Sequence, residues 1–587
     1  PAFHGYAASG RAEGQVVYVN YGTRADFERL EEMGIKVAGR VVLARYGAVF
    51  RGLKVKEAQD RGAAGVLIFS DPADDGYMRG DVYPDGPMRP PSAIQRGSVQ
   101  FLSLGPGDPS TPGWPSTANA KRVTRDKMET VPRIPSLPIS YGEAEKILRH
   151  LGGPNVPSGW QGGLPFAYHV GPGVAAVAMV VQMDDGIKPI YDVVARIPGS
   201  AEPEKLVILG NHRDAWTHGA VDPNSGTAAM LETARGLAAA LKAGWKPRRT
   251  ILLASWDAEE YGLVGSTEWA EDKAVELSKN AVAYVNLDSS VTGGDLDVGG
   301  VPSLLGVVRE AAGAVGDPRR GGSVGAAWEA RERSNWARNA PVELASPEAP
   351  FEPRLDPLGS GSDYTAFLDH LGVPSLDFGF SGPYGVYHSV YDNFRWMEKF
   401  GDPGFHYHAV AARLYGLIAM RLASPEVVPL RFAGYARSLR VDLDALRRDA
   451  VRALRGAKPA ADKPAFAPDF APVLRALEGL AEAGTAADEA AQRAAASGDA
   501  ALAARVSAAL VDVERAFLSP EGLPRRPWFR HTLYAPGTTT GYAAWPFPGL
   551  AQAVADEDGA LFEAEARRVA AALERGSERL RAAAAVR

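Results

Sequence analysis

At 587 residues the chain has room for three or four domains of roughly 150 residues each and for a large buried core. Its net charge of -6 argues against an affinity built on nucleic-acid phosphates, and its lack of cysteine excludes disulfides, thiolate metal sites and cysteine nucleophiles together. No apolar run approaches the roughly 18 to 20 residues of a membrane helix, and the opening PAFHGYAASG has no signal-peptide pattern, so the chain reads as soluble, with no membrane segment. Metal chemistry, if present, must run on His, Asp and Glu.

From Gly14 to about Ile190, short β-branched runs alternate with Gly and Pro clusters: VVYVNYG from Val16, VVLARYG from Val41, VLIFSDP from Val66. Between the last two, KVKEAQDRGAAG from Lys54 predicts a helix crossing between parallel strands. The Pro- and Gly-rich stretch from Tyr77 to Thr117 predicts a long ordered loop. From Tyr191 the rhythm becomes strand, helix, strand, through LVILGNH, TAAMLETARGLAAALKAG, TILLASWDAEE and AVAYVNLDSS, which predicts an open, mainly parallel α/β sheet covered by helices. From about Glu426 the Ala, Arg, Leu and Glu content predicts a helical domain.

In the α/β region, polar residues fall at strand ends or in the loops that follow: His212, Asp222, Glu260, Asp288 and His388. Two imidazoles and three carboxylates, one able to bridge, suit a pair of divalent ions such as Zn²⁺. Asp214, two residues after His212, has the spacing of a carboxylate that orients a ligating histidine. Asp222 precedes Pro223, where an unusual backbone could aim a bridging carboxylate. Adjacent side chains at Glu259 and Glu260 point apart, so one can ligate while the other serves as a base toward a hydrolytic water.

The order GNHRDAW with VDPNSG, SWDAEEYGLVGSTEWAE, NLDSS and YHSVYDNF closely resembles the co-catalytic zinc peptidases of the glutamate carboxypeptidase II and transferrin receptor group. VVYVNYGTRADFERL, ARYGAVFRGLKVKEAQDRGAAGV and the late FLSPEGLPRRPWFRHTLYAP extend the likeness over nearly the whole chain. The resemblance implies a protease-associated apical domain over 1–188, a zinc-peptidase domain over 189–425 and a helical dimerisation domain over 426–587. In that group a further peptidase segment precedes the apical domain, whereas here Val16 is already apical, so the first segment is expected to be missing. The resemblance also implies a homodimer and a periplasmic or extracellular location.

Carried over residue by residue, the resemblance implies two zinc ions: His212 and Asp288 on one, Glu260 and His388 on the other, Asp222 bridging. Glu259 becomes the general base, and Tyr387 donates its hydroxyl to the oxyanion. A structural calcium is implied between Glu268 and Glu271, one helical turn apart, completed by backbone oxygens at Thr111 and Trp114. Three functions compete: a zinc carboxypeptidase, an aminopeptidase or dipeptidase of the same chemistry, and a non-catalytic receptor-like binding protein. Arg51 and Tyr542 match the family groups that hold a peptide's terminal carboxylate, which favours the first. The asparagine and lysine that hold a glutamate side chain in the selective relatives are matched by Ser98 and Gly541, and two arginines that serve acidic residues by Asp377 and Gly379. The expected substrate is therefore a peptide without a required C-terminal glutamate.

Overall fold

A computed structural model describes residues 1–339, 351–456 and 466–586. Near the N-terminus, strands β1 (Gly10–Tyr18), β2 (Val41–Arg45), β3 (Gly65–Phe69), β4 (Ser136–Ile139) and β5 (Ala176–Val181) form one sheet in the order β4-β3-β2-β1-β5. The first four run parallel, and β5 closes the edge antiparallel to β1. β2 and β3 are buried along their whole length, which is why their sequences are continuous apolar runs rather than alternating ones. Helix α1 (Arg24–Glu32) starts at a capping box between Thr23 and Asp26, and α2 (Arg51–Asp60) is the predicted crossover between β2 and β3. Residues 77–117 contain no strand or helix beyond a two-residue pairing of Gly97–Ser98 with His4–Gly5, as the Pro and Gly content predicts.

The second sheet contains β6 (Val193–Ile197), β7 (Glu202–His212), β8 (Arg249–Trp256), β9 (Ala281–Asn286), β10 (Asp295–Gly300) and β11 (Ser375–Ser381), in the order β10-β11-β9-β7-β8-β6. Its four inner strands are parallel and both edge strands antiparallel, the mainly parallel α/β sheet read from the alternation. Helices α3 (Asn224–Lys242), α4 (Val264–Asp272) and α5 (His406–Ala423) connect or cover these strands.

Beyond residue 426 the chain is helical: α6 (Tyr435–Gly456), α7 (Ala471–Ser497), α8 (Ala500–Val511) and α9 (Gly559–Ala585), with α7 and α9 packed against each other. The N-terminal sheet has its own core around Val17, Val42 and Ile68. In contrast, the core of the second sheet continues from Val207 and Tyr284 into Leu439, Leu480 and Leu573 of the helices. The α/β and helical parts are therefore one packed body energetically, although composition changes sharply between them. No helix among the described residues is long and apolar enough to cross a membrane.

Candidate active site and metal centre

The carboxyl ends of three adjacent parallel strands converge. His212 is the last residue of β7, Glu259 and Glu260 follow β8, and Asp288 follows β9. Asp222 lies just ahead of α3, joined to Pro223 by a cis bond, and His388 lies in the loop after β11. His388 has φ +56° and Ala258, just before the glutamate pair, φ +57°. Such left-handed backbone at non-glycine residues is costly and persists where the surroundings fix the geometry of a site.

His212 Nε2 stands 2.8 Å from Asp288 Oδ1, 3.3 Å from Asp222 Oδ1 and 3.9 Å from Glu259 Oε2. His388 Nε2 stands 3.1 Å from Asp222 Oδ2 and 3.2 Å from Glu260 Oε2. Two atoms bound at ~2.0–2.1 Å to one tetrahedral ion are about 3.3 Å apart, so these separations fit donor atoms sharing a metal. The donor atoms form two clusters, His212 with Glu259 and Asp288, and Asp222 with Glu260 and His388. Asp222 faces both histidines, one through each oxygen, which is the geometry of a bridge.

Electrostatics follow from crowding four carboxylates and two imidazoles in a buried space. Burial pushes Glu260 up to about 7 and Glu259 well above the ordinary carboxylate range. Burial alone would lower His212, but Asp288 and Glu259 outweigh it and hold the imidazole well above its usual value. Burial also opposes ionisation of Asp222, yet the two histidines hold it below the ordinary range. Such a set is poised for a cation to replace protons.

Around the cluster, Asp214 touches both a histidine and the glutamate turn. Asp214 meets His212 through its main-chain carbonyl, 3.0 Å from Nδ1, while its carboxylate is 3.6 Å away. That carboxylate also accepts the main-chain N–H groups of Glu259 (3.0 Å) and Glu260 (3.2 Å), so it fixes the turn presenting the two glutamates. Sequence reading missed Asp392, whose carboxylate accepts the N–H groups of Val221 (2.9 Å) and Asp222 (3.3 Å). Its only signal was position, four residues after His388 within the YHSVYDNF motif.

A cavity of about 340 Å³ opens onto the cluster, bounded by the N-terminal sheet's loops, the α/β sheet and Tyr542 from the helical part. Arg51, the first residue of α2, is 5% exposed and lines this cavity. Its Nη1 donates to the Tyr542 hydroxyl at 3.2 Å, its Nε has no partner, and among the described residues no carboxylate lies in ion-pair range. Tyr387 also lines the cavity, its ring stacked on His388 at 3.6 Å between centroids. Burial raises its pKa well above the usual tyrosine value, which keeps the hydroxyl protonated.

Ser98 lines the cavity and donates to the Tyr261 carbonyl at 2.8 Å. Gly541, expected to face substrate, does not line it. Its φ is +86° and an added Cβ would stand 2.3 Å from Phe50 Cβ, so this glycine serves a close approach of Tyr542's loop to α2.

A separate acidic pair sits on α4. Glu268 accepts the main-chain N–H groups of Asp108 (2.7 Å) and Ser116 (2.6 Å), and Glu271 Oε1 accepts the Trp528 indole N–H at 2.8 Å. Thr111 and Trp114 lie within the same loop, where the Thr111 carbonyl accepts the Trp114 N–H at 3.2 Å. Glu271 Oε2 and Thr111 Oγ1 are buried without a partner. Burial and the neighbouring Glu271 push Glu268 up to about 8, and burial pushes Glu271 to about 7.

Three family profiles match the chain: the PA domain over 12–102, peptidase family M28 over 192–400, and the transferrin receptor-like dimerisation domain over 468–581. A probable glutamate carboxypeptidase LAMP1 of Arabidopsis thaliana is 40% identical over 94% of this chain and 76% of its own length. A probable glutamate carboxypeptidase of Arthroderma benhamiae is 40% identical over 94% and 75%. The aminopeptidase NAALADL1 of Rattus norvegicus is 35% identical over 94% and 74%. With this domain order and this coverage, the chain belongs to peptidase family M28, in the group that carries PA and transferrin receptor-like dimerisation domains.

Proposed function

We propose that this zinc exopeptidase releases residues from the carboxyl end of peptides. The observation that carries the reading is Arg51, a buried guanidinium with no carboxylate partner among the described residues, aimed with Tyr542 into the cavity beside the two donor clusters. An unpaired buried cation is costly, and a terminal carboxylate fits its planar fork. A receptor-like binding role would not require a filled set of metal donors together with a spare carboxylate base.

His212 and Asp288 would hold one zinc, His388 and Glu260 the second, with Asp222 shared between them; the donor separations support this pairing. When bound, zinc supplies Lewis acidity for water activation and carbonyl polarisation. Glu259 accepts the proton of the attacking water at its carboxylate and returns it to the leaving amine nitrogen. Tyr387 donates its hydroxyl hydrogen to the carbonyl oxygen as negative charge develops there. Arg51 and Tyr542 hold the terminal carboxylate and thereby set which bond reaches the base.

Glutamate is not required at the C-terminus in this reading, because Arg51 is the one cation among the described residues lining the cavity. Engaged by the terminal carboxylate, it leaves a glutamate side chain without a partner, at a cost of several kcal/mol. Glu268 and Glu271, with the loop at Thr111 and Trp114, fit a calcium ion that joins the apical and peptidase parts; the partnerless Glu271 oxygen supports it. The helical part is the proposed homodimer surface, and residues 1–188, 189–425 and 426–587 the proposed domain limits.

Zinc-loaded protein incubated with a mixed peptide library should shorten peptides from the carboxyl end, visible as product masses, and spare C-terminally amidated ones. Shortening from the amino end would overturn the reading. Light scattering at micromolar concentration should give about twice the monomer mass.

A further inference from the structure

Besides Arg51, the cavity is lined by an acid that the catalytic scheme does not use. Along β11 alternate residues are partly exposed, and Asp377, Phe378, Gly379, Phe380 and Ser381 all line the cavity. Only Asp377 brings charge. Its cross-strand partners are Gly299 on β10 and Asn286 on β9, and its next neighbour on the same face is Gly379, so of these three only Asn286 brings a side chain to the carboxylate.

Asp377 Oδ1 accepts the Asn286 amide at 3.0 Å. Asn286 is itself fixed, donating to Ser362 Oγ at 2.9 Å and accepting the Tyr284 hydroxyl at 2.9 Å. The carboxylate is thus held in place by a neutral donor, and no cation among the described residues pairs with it. The other acid of this wall, Asp297, is paired with Arg331 at 2.5 Å, and Asp288 belongs to the donor clusters.

Position along the sheet separates this charge from Arg51. The Arg51 guanidinium packs against Gly97, whose neighbour Ser98 donates to the carbonyl of Tyr261, the residue after Glu260 beyond β8, whereas Asp377 on β11 accepts the amide of Asn286 at the end of β9. In the strand order β11-β9-β7-β8, the two groups therefore flank the donor clusters from opposite sides. With a terminal carboxylate at Arg51, the chain on the amine side of the scissile bond extends toward Asp377.

We infer that Asp377 is a specificity residue that receives a positively charged group on the amine side of the scissile bond. This rests on the carboxypeptidase reading. Two sources share that chemistry: the free α-ammonium of a dipeptide, and the side chain of a penultimate lysine or arginine. A partly buried carboxylate without a cation gains most from a ligand that brings one, and it repels a penultimate acid.

The test compares zinc-loaded wild type and Asp377→Asn, which keeps the acceptor toward Asn286, on Ala-Phe, N-acetyl-Ala-Phe, N-acetyl-Lys-Phe and N-acetyl-norleucyl-Phe. Wild type should prefer the cationic member of at least one pair by about tenfold or more in kcat/KM, and the variant should lose that preference while keeping its rate on N-acetyl-norleucyl-Phe within about threefold. Preference confined to the first pair assigns the α-ammonium, and preference confined to the second assigns the side chain. Equal rates within both pairs for wild type, or a preference that survives in Asp377→Asn, would overturn the inference.

Equilibrium binding of the same peptides to Glu259→Gln and Glu259→Gln/Asp377→Asn gives a readout free of turnover, with the same tenfold difference expected in Kd. Ala-Phe-amide separates the two levels: its cleavage by wild type sinks the carboxypeptidase reading, whereas a wild type that needs the free carboxylate but shows no cation preference sinks only the role of Asp377.

Discussion

Two glutamate pairs lie within one short segment and have different surroundings. Glu259 and Glu260 occupy the turn after β8, pinned through their main chain by Asp214, beside two imidazoles and an open cavity. Glu268 and Glu271 lie one turn apart on α4, covered by the 108–116 loop and Trp528, and their hydrogen-bond partners among the described residues are main-chain and indole N–H groups rather than imidazoles. Both pairs are buried and both have raised pKa values. What differs is the donor chemistry: nitrogen with oxygen suits zinc, whereas oxygen alone suits calcium. A carboxylate's function is thus set by what its neighbours donate.

The largest expected effect breaks the first pair in half. Glu259→Gln should lower turnover by ~10²–10⁴-fold while elemental analysis still finds zinc, because proton transfer needs the carboxylate and the proposed coordination does not. Glu260→Gln should instead lose zinc along with activity. Equal zinc loss in both variants would erase the distinction drawn between the neighbours.

A smaller effect is expected at the second pair. Glu268→Gln, or a calcium-selective chelator, should lower stability by ~2–3 kcal/mol, the linkage expected for an ion present near a hundredfold above its Kd, with zinc content unchanged. The readout is thermal melting with and without added calcium. An unchanged melt in both would leave the acidic pair as an N–H clamp on the 108–116 loop.

Lys54 provides a third buried charge that no ion serves. It lies in α2, fully buried, donating to the carbonyls of Tyr21 (2.5 Å) and Gly47 (2.7 Å), and burial pulls its pKa down to about 7. The unfolded chain keeps that proton up to about 10.4. Between these values the unfolded state binds more protons than the folded one, so stability should rise with pH across the window and level off below it. The rise attributable to Lys54 is on the order of a few kcal/mol. Denaturant melts at several pH values should show a flatter dependence for Lys54→Met; matching slopes would mean that the ammonium stays charged in the fold.

Much of the site was legible because its residues follow strands. A buried parallel strand must end in a loop, and the polar residue at that point faces the mouth of the sheet, so His212, Glu259, Glu260 and Asp288 could be found from hydrophobic runs alone. Residues outside that rule were harder. Asp392 acts by accepting two main-chain N–H groups from a loop 170 residues away in sequence, which no local pattern announces. Asp214 lies beside the expected histidine, its carboxylate 3.6 Å from the ring, but its hydrogen bonds to the main chain of the glutamate turn had no local signal. Gly541 aligned with a substrate-facing position, yet a close backbone approach to Phe50 explains it.

The sequence alone determined the sheets, their order of strand and helix, the helical C-terminal part and the choice of donor residues. These depend on periodicity and residue chemistry, which are local. Only the tertiary structure decided that Arg51 is buried with no acid beside it among the described residues, that Asp377 lines the same cavity held by the Asn286 amide rather than by a described cation, and that the α/β and helical parts share one core. Whether a charge is paired, and by what, depends on groups brought together from distant parts of the chain, and in a low-dielectric interior that pairing decides which ligand the site accepts.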